Sequence, residues 1–203
     1  MHKGERFNSI THLVGTILAA CGTGVLVAMA SVRGDPWRIV SVSIYGATLV
    51  VLYLFSTLYH SIRGVPVLRK LDHIAIYLLI AGSYTPFTLV PLRGAIGWTL
   101  FGSIWGLAVL GIVVDLLFTD KRRIIPVVIY LLMGWLVVAA IRPLLRTFPL
   151  NGFLWLLAGG ILYTVGILFY VLDGKVRHSH GIWHLFVLGG SSAQYIAVLV
   201  YIL

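Results

Sequence analysis

The chain has 203 residues, of which 60% are hydrophobic and only 10% are charged, and its mean hydropathy is +1.01. A soluble domain of this size cannot hide so much apolar surface, because polar and charged residues normally dominate a soluble exterior. The net charge of +9 is typical of basic residues that flank membrane spans and meet anionic lipid headgroups, so we expect no nucleic-acid partner. We also expect no cleavable signal peptide, because no short apolar segment at the front ends in a small-residue cleavage site.

Apolar stretches of membrane-spanning length recur seven times along the chain. A helix rises about 1.5 Å per residue, so about 20 residues cross the hydrocarbon core. Turn-forming residues separate the stretches, and Arg142-Pro143 cuts the fifth one short. The predicted spans are 11–32, 39–60, 73–92, 96–118, 124–141, 153–172 and 183–203. The sequence therefore predicts an all-α polytopic membrane protein in which residues 1–203 form a single domain of seven transmembrane helices.

The basic residues are divided unequally between the two sides that these spans define. Ten lie on the side of the N-terminus, namely Lys3, Arg6, Arg63, Arg69, Lys70, Lys121, Arg122, Arg123, Lys175 and Arg177. Five lie on the other side, namely Arg33, Arg38, Arg93, Arg142 and Arg146. The positive-inside rule then places the N-terminus in the cytoplasm, and an odd number of spans places the C-terminus outside. We expect a multi-pass protein of the plasma membrane.

Five ionisable residues from four different segments fall at the cytoplasmic end of the predicted spans: His12, His60, Asp72, His180 and His184. Ionisable groups at membrane depth are costly and by default mark function. His180 and His184 are four residues apart, so they share one helical face and can bind one metal ion. His60 is the candidate for a third imidazole ligand. Two alternatives stay open: an interfacial polar patch, and a pH sensor.

Other polar residues fall close to these histidines. Three protein ligands and a water make the open kind of zinc site that enzymes use. Asp72 is placed to hold that water or to orient a ligand, and Ser56, one turn before His60, can donate a hydrogen bond to a substrate oxygen. Glu5 is expected to pair with a basic loop residue and fix the first span. Gln194, deep in the last span, is expected to make an interhelical hydrogen bond.

An ordered set of motifs runs along the chain: Glu5-x5-Thr11-His12-Leu13-x-Gly15, Ser56-x3-His60, Leu71-Asp72-His73, residues 80–87 and His180-x3-His184. Together they resemble the hemolysin III family, the bacterial relatives of the progestin and adipoQ receptors, over essentially the whole chain. The resemblance implies a seven-helix bundle with a cytoplasmic N-terminus and a Zn²⁺ ion near the cytoplasmic face. It implies His60, His180 and His184 as the metal ligands, Asp72 reaching the zinc through a water, and Ser56 beside the site. The wider superfamily includes alkaline ceramidases, which implies amide-hydrolysing chemistry.

Three functions are compatible with these residues. The leading hypothesis is a zinc-dependent hydrolase of a lipid amide or ester, in which Asp72 orients the attacking water and Ser56 steadies the oxyanion. Its partners are membrane lipids, with the substrate held in the bundle. The main rival is a membrane-perturbing or pore-forming cytolysin, or a regulator of membrane lipid state, with structural zinc. A third hypothesis is a proton or ion transporter, although the outer half of the bilayer offers no charged residues for a path.

Overall fold

The computed structural model describes residues 4–117 and 124–203. Lys3, residue 118 at the end of the predicted fourth span, and the basic residues 121–123 lie outside the described residues. The described part is helical, as predicted. Its elements are α1 (Arg6–Arg33), α2 (Pro36–Ser61), α3 (Pro66–Leu89), α4 (Ala95–Leu117), α5 (Ile124–Trp135), a 3₁₀ segment (Leu136–Ala140), α6 (Ile141–Thr147), α7 (Leu150–Val171) and α8 (Ser179–Tyr201).

The turn between α1 and α2 shows how the sequence sets a helix boundary. Gly34 has a φ of 68°, a left-handed conformation that favours glycine, and its N–H bonds the carbonyl oxygens of Ala30 and Ser31. The side chain of Asp35 then accepts a hydrogen bond from the backbone N–H of Trp37 at 3.0 Å, which caps the first turn of α2. Glycine therefore ends one helix and aspartate starts the next, within the turn that the sequence predicts between the first two spans.

Within the described residues, six helical stretches are long and apolar enough to cross a membrane. They are Arg6–Arg33, Pro36–Ser61, Ala95–Leu117, Ile124–Thr147, Leu150–Val171 and Ser179–Tyr201. Their outer surfaces carry large apolar side chains, including Leu18 and Val32, which suits contact with lipid rather than water. The chain is therefore a multi-pass membrane protein by length and composition. The predicted orientation of its termini stays a prediction.

The helix α3 is long enough to span a membrane but not apolar enough to be one of these six, so the seventh span stays a prediction. Its surroundings explain its composition, since 13 of its 24 residues are buried. It packs against α2, α4 and α5. A helix that is surrounded by protein can carry polar residues, because other side chains rather than lipid meet them.

The fifth predicted span is interrupted earlier than expected and for a different reason. We expected Arg142-Pro143 to end it, but α6 continues through Pro143, which lies in the first turn where its missing N–H is tolerated. The interruption lies instead at Leu136–Ala140. There the Tyr84 hydroxyl from α3 shares its one hydrogen between the carbonyl oxygens of Met133 and Gly134, each at 2.8 Å, and accepts from the N–H of Val137 at 3.0 Å. A side chain inserted into the helix hydrogen-bond ladder is a known cause of such breaks.

Candidate metal site

Three of the predicted site histidines lie together at one end of the bundle. His60 stands at the end of α2, and His180 and His184 occupy the first two turns of α8. One nitrogen from each ring lies within 4.8 Å of the other two. The ring centroids form a nearly equilateral triangle, with separations of 4.9, 5.0 and 4.8 Å. The three imidazoles are therefore close enough to hold one metal ion.

Each of these imidazoles is held in place through its Nδ1 atom. The contacts are His60 Nδ1 to Glu5 Oε2 at 2.8 Å, His180 Nδ1 to Asp173 Oδ2 at 3.0 Å, and His184 Nδ1 to the backbone oxygen of Asn8 at 3.1 Å. A carboxylate or carbonyl oxygen can only accept, so Nδ1 must carry the proton when the ring is neutral. The Nε2 atom of each ring then has a free lone pair with which it can bind a metal ion. The Nε2 of His60 is buried and makes no hydrogen bond with the described residues.

The two carboxyl groups in these contacts both have a lowered pKa, so they serve as hydrogen-bond acceptors in the ionised form. Partial burial raises the pKa of the Glu5 carboxyl, but hydrogen bonds from Asn8 and His60 lower it by more, so its pKa lies below its usual value. The hydrogen bond from His180 lowers the pKa of the Asp173 carboxyl, and this effect outweighs burial. Both groups therefore stay ionised at neutral pH, and an ionised partner makes an imidazole ligand more basic.

Close packing of α1 on α8 brings the third acceptor to the site. A Cβ atom at Gly181 would overlap the Phe7 ring and lie 2.9 Å from the Asn8 side-chain oxygen, so only glycine lets the two helices approach this closely. The Ser179 hydroxyl donates to the carbonyl oxygen of Phe169, which ties the start of α8 to the end of α7. These contacts fix the first turn of α8, and with it His180 and His184.

A fourth histidine, His12, lies against the triangle without belonging to it. Its ring is stacked on His184, with centroids 3.5 Å apart and an angle of 12° between the planes. It meets the ring of Tyr53 edge-on at 5.0 Å. Both of its nitrogens are buried and lack a hydrogen-bond partner among the residues that the structure describes. Its flat contact with His184 means that His12 helps to fix the orientation of that ring.

A cavity of about 480 Å³ opens beside the histidines. Ser56, Asp72, His12, His180 and His184 all line it, whereas His60 is not among its lining residues, so the structure gathers most of the predicted site residues around one space. Asp72 lies outside the triangle of possible ligand atoms. Most of the remaining wall is apolar and comes from α3, α5, α7 and α8. The roles of Asp72 and Ser56 in catalysis stay predictions, as does the assignment of His60, His180 and His184 as metal ligands.

Two residues near the histidines were misjudged or missed from the sequence. Glu5 was expected to pair with a basic loop residue, which was wrong: it pairs with His60. The sequence predicts only a turn around Asp173, whereas in the structure Asp173 pairs with His180. Its spacing, seven residues before His180, was the available signal, because a short loop can fold an acid back onto the first turn of the next helix.

Comparisons with known proteins show the family of the chain. The family model described as haemolysin-III related matches residues 1–195. "Hemolysin-3" of Bacillus cereus is 47% identical over 99% of this chain and 93% of its own length. "Hemolysin-3 homolog" of Bacillus subtilis (strain 168) is 45% identical over 98% of this chain and 94% of its own. "Monocyte to macrophage differentiation factor" of Homo sapiens is 28% identical, with 96% and 83% covered. The matched range of the family model therefore spans the positions of all three histidines.

Proposed function

The chain belongs to the haemolysin-III-related family, and we propose that it is a zinc-dependent membrane hydrolase that acts on lipid amides or esters. The observation that carries the proposal is the histidine triangle. Its three Nδ1 atoms are bonded to protein oxygens, and two of its histidines, His180 and His184, line a largely apolar cavity. We further propose the plasma membrane as its location, with the histidines at the cytoplasmic face.

The donor set suits zinc. Three neutral imidazoles, each oriented by an oxygen acceptor on its other nitrogen, are typical of zinc sites that keep a position open for water. His60 Nε2 is buried and unpartnered among the described residues, and such an atom is costly to keep unless something binds it. When bound, the ion would act as a Lewis acid and lower the pKa of a water molecule towards about 7.

The chain's own residues would supply the remaining steps. The Asp72 carboxylate would orient the water and accept its proton, because it lines the same cavity as His180 and His184. Ser56, almost fully buried at 1% exposure, would donate its hydroxyl hydrogen to the carbonyl oxygen of the substrate as negative charge develops there. The amine or alcohol would then take up the proton from Asp72 as it leaves.

The cavity favours a lipid over a water-soluble substrate. Its walls are mostly aliphatic and aromatic, with Leu79, Ile80 and Val187 among them. An acyl chain placed there leaves water and gains about 25 cal/mol for each Å² of apolar surface buried. The polar linkage of the same lipid would then lie next to the histidines.

The metal content of detergent-purified protein tests the site directly. We expect about one zinc ion per chain in the wild type and a loss of that zinc in His184→Ala and His60→Ala. His178→Asn is the matched control, because residue 178 has a φ of 63°, which asparagine tolerates, and its ring is outside the triangle. Metal-free wild type, prepared without chelators, would overturn the zinc mechanism.

Turnover is then tested on the zinc-loaded protein. Acyl-sphingoid, acyl-amino acid and acyl ester substrates, presented in mixed micelles, cover the lipid linkages that the cavity can hold. Hydrolysis of one class that disappears in the metal-free variants would support the proposal. Zinc binding without hydrolysis of any of these lipids would contradict the catalytic part and leave a structural metal.

Membrane lysis is a second candidate function, because the relatives at 47% and 45% identity are called "Hemolysin-3" and "Hemolysin-3 homolog". Leakage of dye from liposomes that contain the purified protein would measure it. Leakage that persists in His60→Ala and His184→Ala would favour a non-enzymatic, membrane-perturbing role. Leakage that requires the histidines would instead point to lipid products of hydrolysis as the cause.

A further inference from the structure

The cavity has a second polar region far from the histidines. Gln194 lies ten residues after His184 on α8, which corresponds to about 15 Å along the helix axis. Both residues line the same cavity. The wall between them includes Val187 on α8 and Ile80 on α3, which are apolar. The cavity therefore joins two polar ends through an apolar middle.

One face of α8 carries both ends. His180, His184, Val187, Ser191 and Gln194 follow one another at spacings of four, three, four and three residues. That spacing keeps side chains on one face of a helix. The same face that presents the histidines thus presents Ser191 and Gln194 nearly three turns later, and an elongated ligand along α8 would meet both groups.

Gln194 offers an acceptor that nothing in the described chain uses. Its side-chain oxygen Oε1 is buried and lacks a hydrogen-bond partner among the described residues, so the interhelical hydrogen bond expected from the sequence is not formed there. An unsatisfied buried acceptor costs about 1–3 kcal/mol. Such an atom in a cavity wall marks a place where a bound molecule supplies the missing donor.

A chain of hydroxyls beside it offers a donor. The Tyr53 hydroxyl donates to Ser191 Oγ at 2.8 Å, a shorter contact than its 3.4 Å alternative to the Val187 carbonyl oxygen. Ser191 Oγ lies 2.7 Å from the Tyr163 hydroxyl oxygen. Either oxygen can be the donor in this second contact; when Ser191 donates to Tyr163, the hydrogen of Tyr163 is left for another acceptor. Tyr163 lines the cavity.

Gln194 and Tyr163 lie on the packed faces of α8 and α7, and both line the cavity. Gly190 is one turn before Gln194, and a Cβ atom there would lie 2.9 Å from the Tyr163 ring, so the ring rests directly on α8. One acceptor and one donor in the same cavity wall match a hydroxyl group, which donates one hydrogen bond and accepts another. We propose that Gln194 and Tyr163 form a binding subsite for a hydroxyl group carried within a long apolar chain, such as a hydroxylated fatty acyl chain. The proposal rests on the proposed function for the idea that the cavity holds a lipid.

Equilibrium binding to detergent-purified protein tests this subsite without any need for turnover. The probes are radiolabelled octadecanoate and a series of monohydroxy-octadecanoates in which the hydroxyl is moved along the chain. We expect one hydroxyl position to bind about fivefold to tenfold more tightly than octadecanoate, as one or two net hydrogen bonds would give. Preference should peak at one position, because the subsite is fixed about 15 Å from His184.

Variants separate the subsite from general lipid binding. Gln194→Leu and Tyr163→Phe should each lower the preference towards unity while octadecanoate itself still binds. Ser192→Ala, at an exposed position on the same helix outside the cavity, should keep the full preference. Equal binding of all the fatty acids to the wild type, no binding of any, or a preference that survives Gln194→Leu would overturn the subsite.

The histidine variant distinguishes this inference from the proposed function. His184→Ala should lose metal but keep the ratio between hydroxylated and plain fatty acid, because Gln194 lies nearly three turns away. If the wild type proves metal-free or inactive while the preference is present, the hydrolase proposal fails and the subsite stands. If turnover is found without the preference, the subsite fails alone.

Discussion

The two polar ends of the cavity are built in different ways. At the histidine end, the Nδ1 atoms of His60, His180 and His184 are all bonded to protein oxygens. At the far end, the Gln194 oxygen has no partner among the described residues. Tyr84, in the cavity wall, is a third case, because its hydroxyl is fully used by the backbone of α5 and of the 3₁₀ segment after it. We interpret bonded polar atoms such as the Tyr84 hydroxyl as holding the fold, and the unpartnered His60 Nε2 and Gln194 Oε1 as the atoms that a ligand would contact.

The largest effect is expected at Asp72. Asp72→Asn should lower the rate of lipid hydrolysis by about 10²- to 10⁴-fold, because an amide cannot accept the proton of the attacking water. Zinc content should be unchanged, since the three histidines suffice for binding. Initial rates and metal content measured on the same preparation test both statements.

Ser192→Ala is the control for Asp72→Asn, because it changes an exposed residue of α8. A fully active Asp72→Asn would contradict the role of this carboxylate as the proton acceptor. Loss of zinc together with activity would instead mean that Asp72 takes part in metal binding. Asp72 would then belong with the metal ligands rather than with the residues that act on the substrate.

Much of the histidine end could be predicted from the sequence. The i, i+4 spacing placed His180 and His184 on one face, and the depth of each residue in its span placed His60, Asp72 and Ser56 near them. The structure brings these residues together, and the family is confirmed. Glu5 and Asp173 were harder to place, because their contacts depend on how a helix approach and a loop fold, which no periodic pattern records.

The break after α5 shows a second limit of the sequence. Proline is a helix breaker that can be recognised in the sequence, so the end of the fifth span was predicted at Arg142-Pro143. The actual cause is a tyrosine on another helix, 53 residues away from Val137 in the chain. A tertiary hydrogen bond of this kind leaves no local pattern in α5. For the same reason, the polarity of α3 could not be related to burial before its neighbours were known.

Glu5 and Asp173 test the outward contacts of the histidines. Glu5→Gln and Asp173→Asn should each weaken zinc binding by about 10- to 100-fold, because a neutral amide orients and polarises an imidazole less well than a carboxylate does. Competition with a chromogenic chelator measures the dissociation constants. Stoichiometry at saturating zinc should stay at about one per chain.

Asp35→Asn is the matched acid-to-amide control, since Asp35 caps α2 at its other end, and it should bind zinc like the wild type. Unchanged affinity in both site variants would mean that the outward hydrogen bonds only shape the loop and the start of α1. The distinction between bonded and unbonded nitrogens would then carry no functional meaning.

Tyr84 tests the claim that fully bonded polar atoms hold the fold. Tyr84→Phe leaves the Val137 N–H and the carbonyl oxygens of Met133 and Gly134 without their partner, so the free energy of unfolding should fall by about 1–3 kcal/mol. Thermal or denaturant unfolding in detergent measures this. Zinc affinity should not change, because Tyr84 is absent from the contacts that hold the histidines. Undiminished stability would indicate that α5 recovers a regular helix across Leu136–Ala140.

For Gln194 we expect the opposite result, and the smallest effect on stability. Gln194→Leu removes a buried acceptor that has no partner among the described residues and replaces it with an apolar group of similar size, so the free energy of unfolding should stay the same or rise by up to about 1 kcal/mol. Measured beside Tyr84→Phe, the pair separates two kinds of polar residue in one cavity wall. A residue whose removal leaves stability intact, yet changes which lipid binds, is retained for its ligand. A clear loss of stability in Gln194→Leu would show that the amide serves the packing of α7 on α8, and the far end of the cavity would then belong to the fold.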